Sequence, residues 1–110
     1  MLSLRLKTIA SLVENGSTVL DVGTDHAYLP IFLEKNKITK SVIASDVSEN
    51  ALNNAKINVA RYHSDVELVL SDGLNNINED FDTLVISGMG SSTIIKETRV
   101  NSFLCFGNEF

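Results

Sequence analysis

Tryptophan is absent from this 110-residue chain, and proline and cysteine occur once each, as Pro30 and Cys105. A single cysteine excludes an internal disulfide and a cysteine-based zinc site, so the chain suits a reducing compartment and Cys105 reads as packing. No metal site is expected. Long apolar runs are missing too: VLDV, SVIA, VELVL and TLVIS fall far short of the roughly 20 residues of a membrane helix. No basic-then-apolar leader opens the sequence. These features predict a cytoplasmic protein with no membrane partner. Positive charge is also scarce. Nine basic against fourteen acidic side chains leave a net charge of −5, which opposes condensation on a phosphate backbone. A nucleic-acid partner therefore needs a local basic patch or additional sequence.

What is present is core. With 44% apolar residues, the chain has the composition of one small globular domain. Leu2, Leu6, Ile9, Leu12 and Val13 recur at helical spacing, with Ser3 as a cap and Asn15-Gly16 as the stop. Strand-like runs follow at Thr18–Val22, Ser41–Ser45, Val66–Leu70 and Thr83–Ser87, rich in Val, Ile and Leu without polar alternation, as in strands covered on both faces. Helical stretches separate them. One opens at Pro30 and ends near Asn36. Another runs from Ser48 to about Tyr62, with Ser48 as cap, Glu49 in the first turn and Val47 placed to staple against Leu52. A further helix begins at Ser91 or Ser92. This alternation predicts an α/β fold with a parallel sheet, helices on both faces and right-handed crossovers.

In such sheets ligands bind beyond the carboxyl ends of the strands. Asp21-Val22-Gly23-Thr24-Asp25-His26 follows the first strand, Asp46-Val47 ends the second, Asp72-Gly73 the third, and Gly88-Met89-Gly90 the fourth. Acids and glycines end many strands, but three carboxylates on one rim point to a ligand. Asp46 lies 25 residues after Asp21, where nucleotide-binding sheets place an acid against ribose hydroxyls. The first turn decides the kind of nucleotide. A dinucleotide's pyrophosphate needs G-x-G-x-x-G, whereas Asp25 and Tyr28 occupy the second and third glycine positions, and a carboxylate there repels phosphate. No G-x-x-x-x-G-K-[ST] run exists for ATP. S-adenosylmethionine fits better: it offers adenosine to Asp46 and Asp72, an amino acid tail to the Gly23 turn, and a sulfonium that a carboxylate does not repel.

The segments SLRLKTIASLV, VLDVGTDHAYLPIFL, VIASDVSENALNNAKINV, LSDGL and LVISGMG resemble the bacterial tRNA (adenine-22-N1)-methyltransferase family, class I S-adenosylmethionine-dependent enzymes with a Rossmann-like fold. The resemblance covers residues 1–97. It implies cofactor contacts from Asp21, Gly23, Asp46, Val47, Asp72, Gly73, Gly88 and Met89, and a catalytic pocket around Asp25 and His26. It also implies tRNA as partner. Transfer to adenine N1, which already carries a lone pair, needs positioning and electrostatics more than a base. Asp25 is the expected catalytic residue, accepting the amino hydrogens as positive charge develops on the ring. His26 either contacts the substrate or packs under the turn, and Arg5 either contacts phosphate or is a solvated helix charge. Tyr28 and Leu29 read as core, and Lys35, Lys37 and Lys40 as solubilising surface.

Ser91 stands where the family usually has glycine. Residues 98–110, TRVNSFLCFGNEF, do not resemble the family, so the sheet is expected to stop after its fourth strand. That strand would then lie at an edge available for self-association, unless Phe103, Leu104 and Phe106 cover it. Two alternatives stay open: a small-molecule methyltransferase, and a non-catalytic fragment that binds the nucleoside but not tRNA.

Overall fold

The computed structural model describes residues 3–87 and a strand at 102–106. Helix α1 (Leu4–Ser11) precedes strand β1 (Thr18–Val22), followed by α2 (Tyr28–Lys35), β2 (Ser41–Asp46), α3 (Glu49–Arg61), β3 (Glu67–Leu70), β4 (Thr83–Ser87) and β5 (Ser102–Phe106). The strands form one parallel sheet in the order β3-β2-β1-β4-β5. The connections run outward from β1 to β3 and then return to the other side of β1. The topological switch point therefore lies between β1 and β4.

The sheet divides the core in two. On one side Val19, Val42, Ala44 and Val85 pack with Ile9, Leu29, Leu33 and Ala55 from the three helices. On the other, Leu20, Val22, Ile43, Leu84 and Ile86 meet Leu74, Ile77 and Phe81 of the β3–β4 connection. Alternate residues of each strand thus feed opposite layers, which explains the unbroken apolar runs. Burying one such leucine or isoleucine contributes about 1.5–3 kcal/mol. The described helices α1–α3 all lie on one face. The helix expected from Ser91 or Ser92 falls outside the described residues.

Local chemistry sets the helix ends. Ser3 Oγ accepts from the Leu6 amide at 3.2 Å and Ser48 Oγ from the Ala51 amide at 3.2 Å, each satisfying a first-turn donor. The expected stop of the first helix at Asn15-Gly16 is corrected: α1 ends at Ser11, with Leu12 as its C-cap. The expected start at Pro30 is also corrected. Helix α2 begins two residues earlier at Tyr28, behind Ala27 at φ 62°, and Pro30 sits in the first turn, where its missing N–H costs nothing. Val47 is 64% exposed and does not bury itself as a staple.

The sheet does not stop at β4. Strand β5 pairs with it in parallel register, Leu84 opposite Phe103 and Ile86 opposite Cys105. Of the two expectations for the β4 edge, open or covered by the tail, the second holds, although the tail covers it as a fifth strand. Five extended residues of the tail supply its backbone partners.

Candidate functional site

The carboxyl ends of β1, β2 and β3 and the start of α1 enclose a cleft of about 520 Å³, within the usual range for small-molecule sites. Its floor is the turn after β1. Gly23, Asp25 and Ala27 have φ of 76°, 58° and 62°, so the backbone enters the left-handed region at every second residue. For the two non-glycines this costs of order 1–3 kcal/mol each, and such strain persists only where the surroundings over-determine the chain. The surroundings are specific here. The Gly23 and Thr24 amides both donate to the Ser45 carbonyl at 3.0 Å, the Asp25 amide donates to Asp46 Oδ2 at 3.0 Å, and the Asn58 carboxamide donates to the His26 carbonyl at 2.9 Å.

Asp46 is 9% exposed, and its second oxygen accepts from the Ser48 amide at 3.0 Å. It therefore ties the turn after β1 to the turn after β2. Each carboxylate oxygen retains a lone pair for a hydroxyl on the cleft side. Asp21 is deeper, at 2% exposure. Its Oδ2 accepts from the Thr24 hydroxyl at 2.9 Å, while Oδ1 is buried without a hydrogen-bond partner. Burial raises the Asp21 carboxyl to a pKa of about 7, against the lowering effect of the Thr24 hydroxyl and with a smaller upward push from Asp46. An unsatisfied buried acceptor in a cleft wall costs free energy unless a donor arrives. The position can accept a hydrogen bond from a donor that enters the cleft.

Most of the expected site converges on this cleft. Asp21, Gly23, Asp25, His26, Asp46, Val47 and Gly73 line it, as does Arg5 with Ser3 and Leu6 from α1. Asp72 is not brought in: it is exposed, and its neighbours Ser71 and Gly73 take the cleft positions, because the chain turns at Gly73 with φ 60°. Gly88 and Met89 lie outside the described residues. Asp25 Oδ2 stands 3.8 Å from His26 Nε2, with both side chains well exposed. No group of three or more His, Cys, Asp or Glu able to hold a metal occurs among the described residues.

Three contributors escaped the sequence. Thr24 orients Asp21. Tyr28, read as core, is 38% exposed and lines the cleft. Asn58 is 4% exposed and holds the turn from α3. Its signal was present, since Leu52, Ala55 and Asn58 fall on one helical stripe and a polar residue on a buried stripe implies a partner.

A family described as methyltransferase domain matches residues 2–100. The chain belongs to this family. It is 34% identical over 96 residues to the tRNA (adenine(22)-N(1))-methyltransferase of Bacillus subtilis, covering 84% of this chain and 40% of that protein. Among solved structures it is similar to M. capricolum TrmK in complex with S-adenosyl-homocysteine. There the identity is 35%, the TM-score 0.83, and the coverage 96% of this chain and 51% of that one. A putative tRNA (m1A22) methyltransferase of Streptococcus pneumoniae, in complex with S-adenosyl-L-methionine, is 39% identical with a TM-score of 0.76, covering 86% and 46%. The sheet is that of a Rossmann-like methyltransferase. The chain spans about half the length of the relatives it matches. No helix among the described residues is long and apolar enough to cross a membrane.

Proposed function

We propose that this chain binds S-adenosylmethionine in the cleft and carries the cofactor half of a tRNA (adenine-22-N1)-methyltransferase, residues 1–97 forming the N-terminal part of that domain and 98–110 a divergent tail. The observation that carries the reading is Asp21, whose buried, unpartnered oxygen at the end of β1, beside the strained turn, suits the ammonium of an amino acid tail and suits no phosphate. Asp46, at the end of the adjacent strand, accepts ribose hydroxyls, and the Ser71–Gly73 turn gives the purine a close backbone approach. When bound, the cofactor supplies an electrophilic methyl group. The residues of the chain do the rest: Asp21 fixes the amino acid tail and Asp46 the ribose, and the acidic floor favours positive charge. Asp25, exposed at the mouth, accepts the amino hydrogens of an incoming adenine, whose N1 needs no base. The tRNA assignment is supported by the relatives and by the order of the matching segments, and with it the chain works in the cytoplasm.

Calorimetric titration with S-adenosylmethionine, S-adenosylhomocysteine, NAD and ATP tests the reading. The first two are expected to bind and the last two to bind at least tenfold more weakly, about 1.4 kcal/mol. Tighter binding of NAD overturns it. Asp46→Ala removes two charge-assisted bonds to ribose and is expected to weaken binding by about 1.5–3 kcal/mol. Because Asp46 also holds two backbone amides, its melting temperature is expected to fall in parallel.

A further inference from the structure

Tyr28 is the residue whose placement the function above leaves unexplained. It opens α2, and the residues after it, Leu29, Pro30 and Ile31, are buried, yet its own ring stays 38% exposed in the cleft wall. There it stacks against His26, with ring centroids 5.3 Å apart and planes inclined by 25°. Both rings line the cleft, and the His26 side chain is 43% exposed.

The pair is held from behind. Left-handed residues flank His26 on both sides, Asp25 and Ala27, and the buried Asn58 on α3 grips its carbonyl at 2.9 Å. Beside the rings stands the Asp25 carboxylate, its Oδ2 3.8 Å from His26 Nε2, an acceptor at the edge of an aromatic wall. Stacking on aromatic faces is how proteins hold an unpaired base, and a neighbouring acceptor selects a base with an exocyclic amine.

We infer that Tyr28 and His26 together form the platform on which the substrate purine stacks, with its amino group toward Asp25, Asn58 acting as the positioning residue behind it. This rests on the reading that the cofactor's own nucleoside lies against Asp46 and Gly73, which leaves the rings for a second base. Tyr28 becomes a substrate-contacting residue rather than a packing one. The phenol hydroxyl is dispensable and the ring face is what matters.

The experiment loads the full chain with S-adenosylhomocysteine and titrates adenosine by NMR, with uridine as comparison. Wild type is expected to show saturable binding, upfield shifts of adenosine H2 and H8, and intermolecular NOEs from them to the Tyr28 and His26 rings. Tyr28→Phe keeps adenosine affinity within about twofold, and Tyr28→Leu loses about tenfold or more, as removal of a stacking ring does. S-adenosylhomocysteine affinity stays within about twofold in both variants, which shows the fold and the cofactor site intact. Unchanged adenosine affinity in Tyr28→Leu overturns the platform, as does the absence of NOEs to the two rings or of saturable binding in the loaded wild type. Failure of S-adenosylhomocysteine itself to bind wild type is a different result and overturns the cofactor reading.

Discussion

Asp21 holds a carboxyl group where water does not reach, and its protonation is therefore linked to folding. Its pKa is about 7 in the folded chain against 3.8 for the ordinary group. Between those values the folded state binds the proton and the unfolded state does not, so stability is present below about pH 4 and declines as pH rises through 7. Three pKa units correspond to a loss on the order of 4 kcal/mol. Asp21→Asn removes the charge and keeps an acceptor for the Thr24 hydroxyl. It is expected to raise the melting temperature more at pH 8 than at pH 5, while weakening S-adenosylmethionine binding. An equal shift at both values would remove Asp21 from the account. A cationic ligand must also expel that proton. Wild-type affinity for S-adenosylmethionine is accordingly expected to drop by about tenfold from pH 8 to pH 6, measured by calorimetry in two buffers of different ionisation enthalpy. A flat profile would contradict it.

At the scale of elements, the cleft is made by turns and held by a helix. Asn58 on α3 reaches across to the turn after β1, so replacing it strands the His26 carbonyl in a buried site. Asn58→Ala is expected to cost about 1–3 kcal/mol by urea denaturation, against a few tenths of a kcal/mol for the neighbouring exposed position, Ile57→Ala. A cost no larger than that of Ile57→Ala would show the contact to be incidental. How far the sequence revealed these elements depends on whether the signal is local. Strands β1 and β4 match the expected Thr18–Val22 and Thr83–Ser87 to the residue, because β-branched runs bounded by glycine or acid leave little choice. The start of α2 was misplaced because Pro30 suits a first helical position, while the left-handed Ala27 that sets the true start depends on contacts with β2 and α3. Tyr28 looked like core for the same reason. Its ring is turned outward by backbone that residue-type preference alone does not foresee. Strand β5 was not foreseen as a strand, since its pairing depends on β4 being there to receive it.

For the whole molecule, the charge of −5 and the acids around the cleft favour a cationic small ligand over a polyanion. Fluorescence anisotropy at about 150 mM salt is expected to give this chain a tRNA dissociation constant weaker than about 10 μM, in the range of non-specific binding. Nanomolar affinity would show a basic surface sufficient to grip RNA. At the far edge of the sheet from β5, the short strand β3 opens on the exposed Glu67, and charge at an edge discourages strand addition. The cleft-lining residues run from Ser3 to Gly73, yet β1 at their centre pairs on its other side with β4, and the Thr18 amide donates to Asp82, 64 positions later. As the chain leaves the ribosome, every described residue that lines the cleft emerges before the strand that locks the floor in place. Folding of the first half alone yields an unclosed sheet. Ligand binding on stalled nascent chains is thus a clock for β4 insertion, and the site is written early in the message but assembled late.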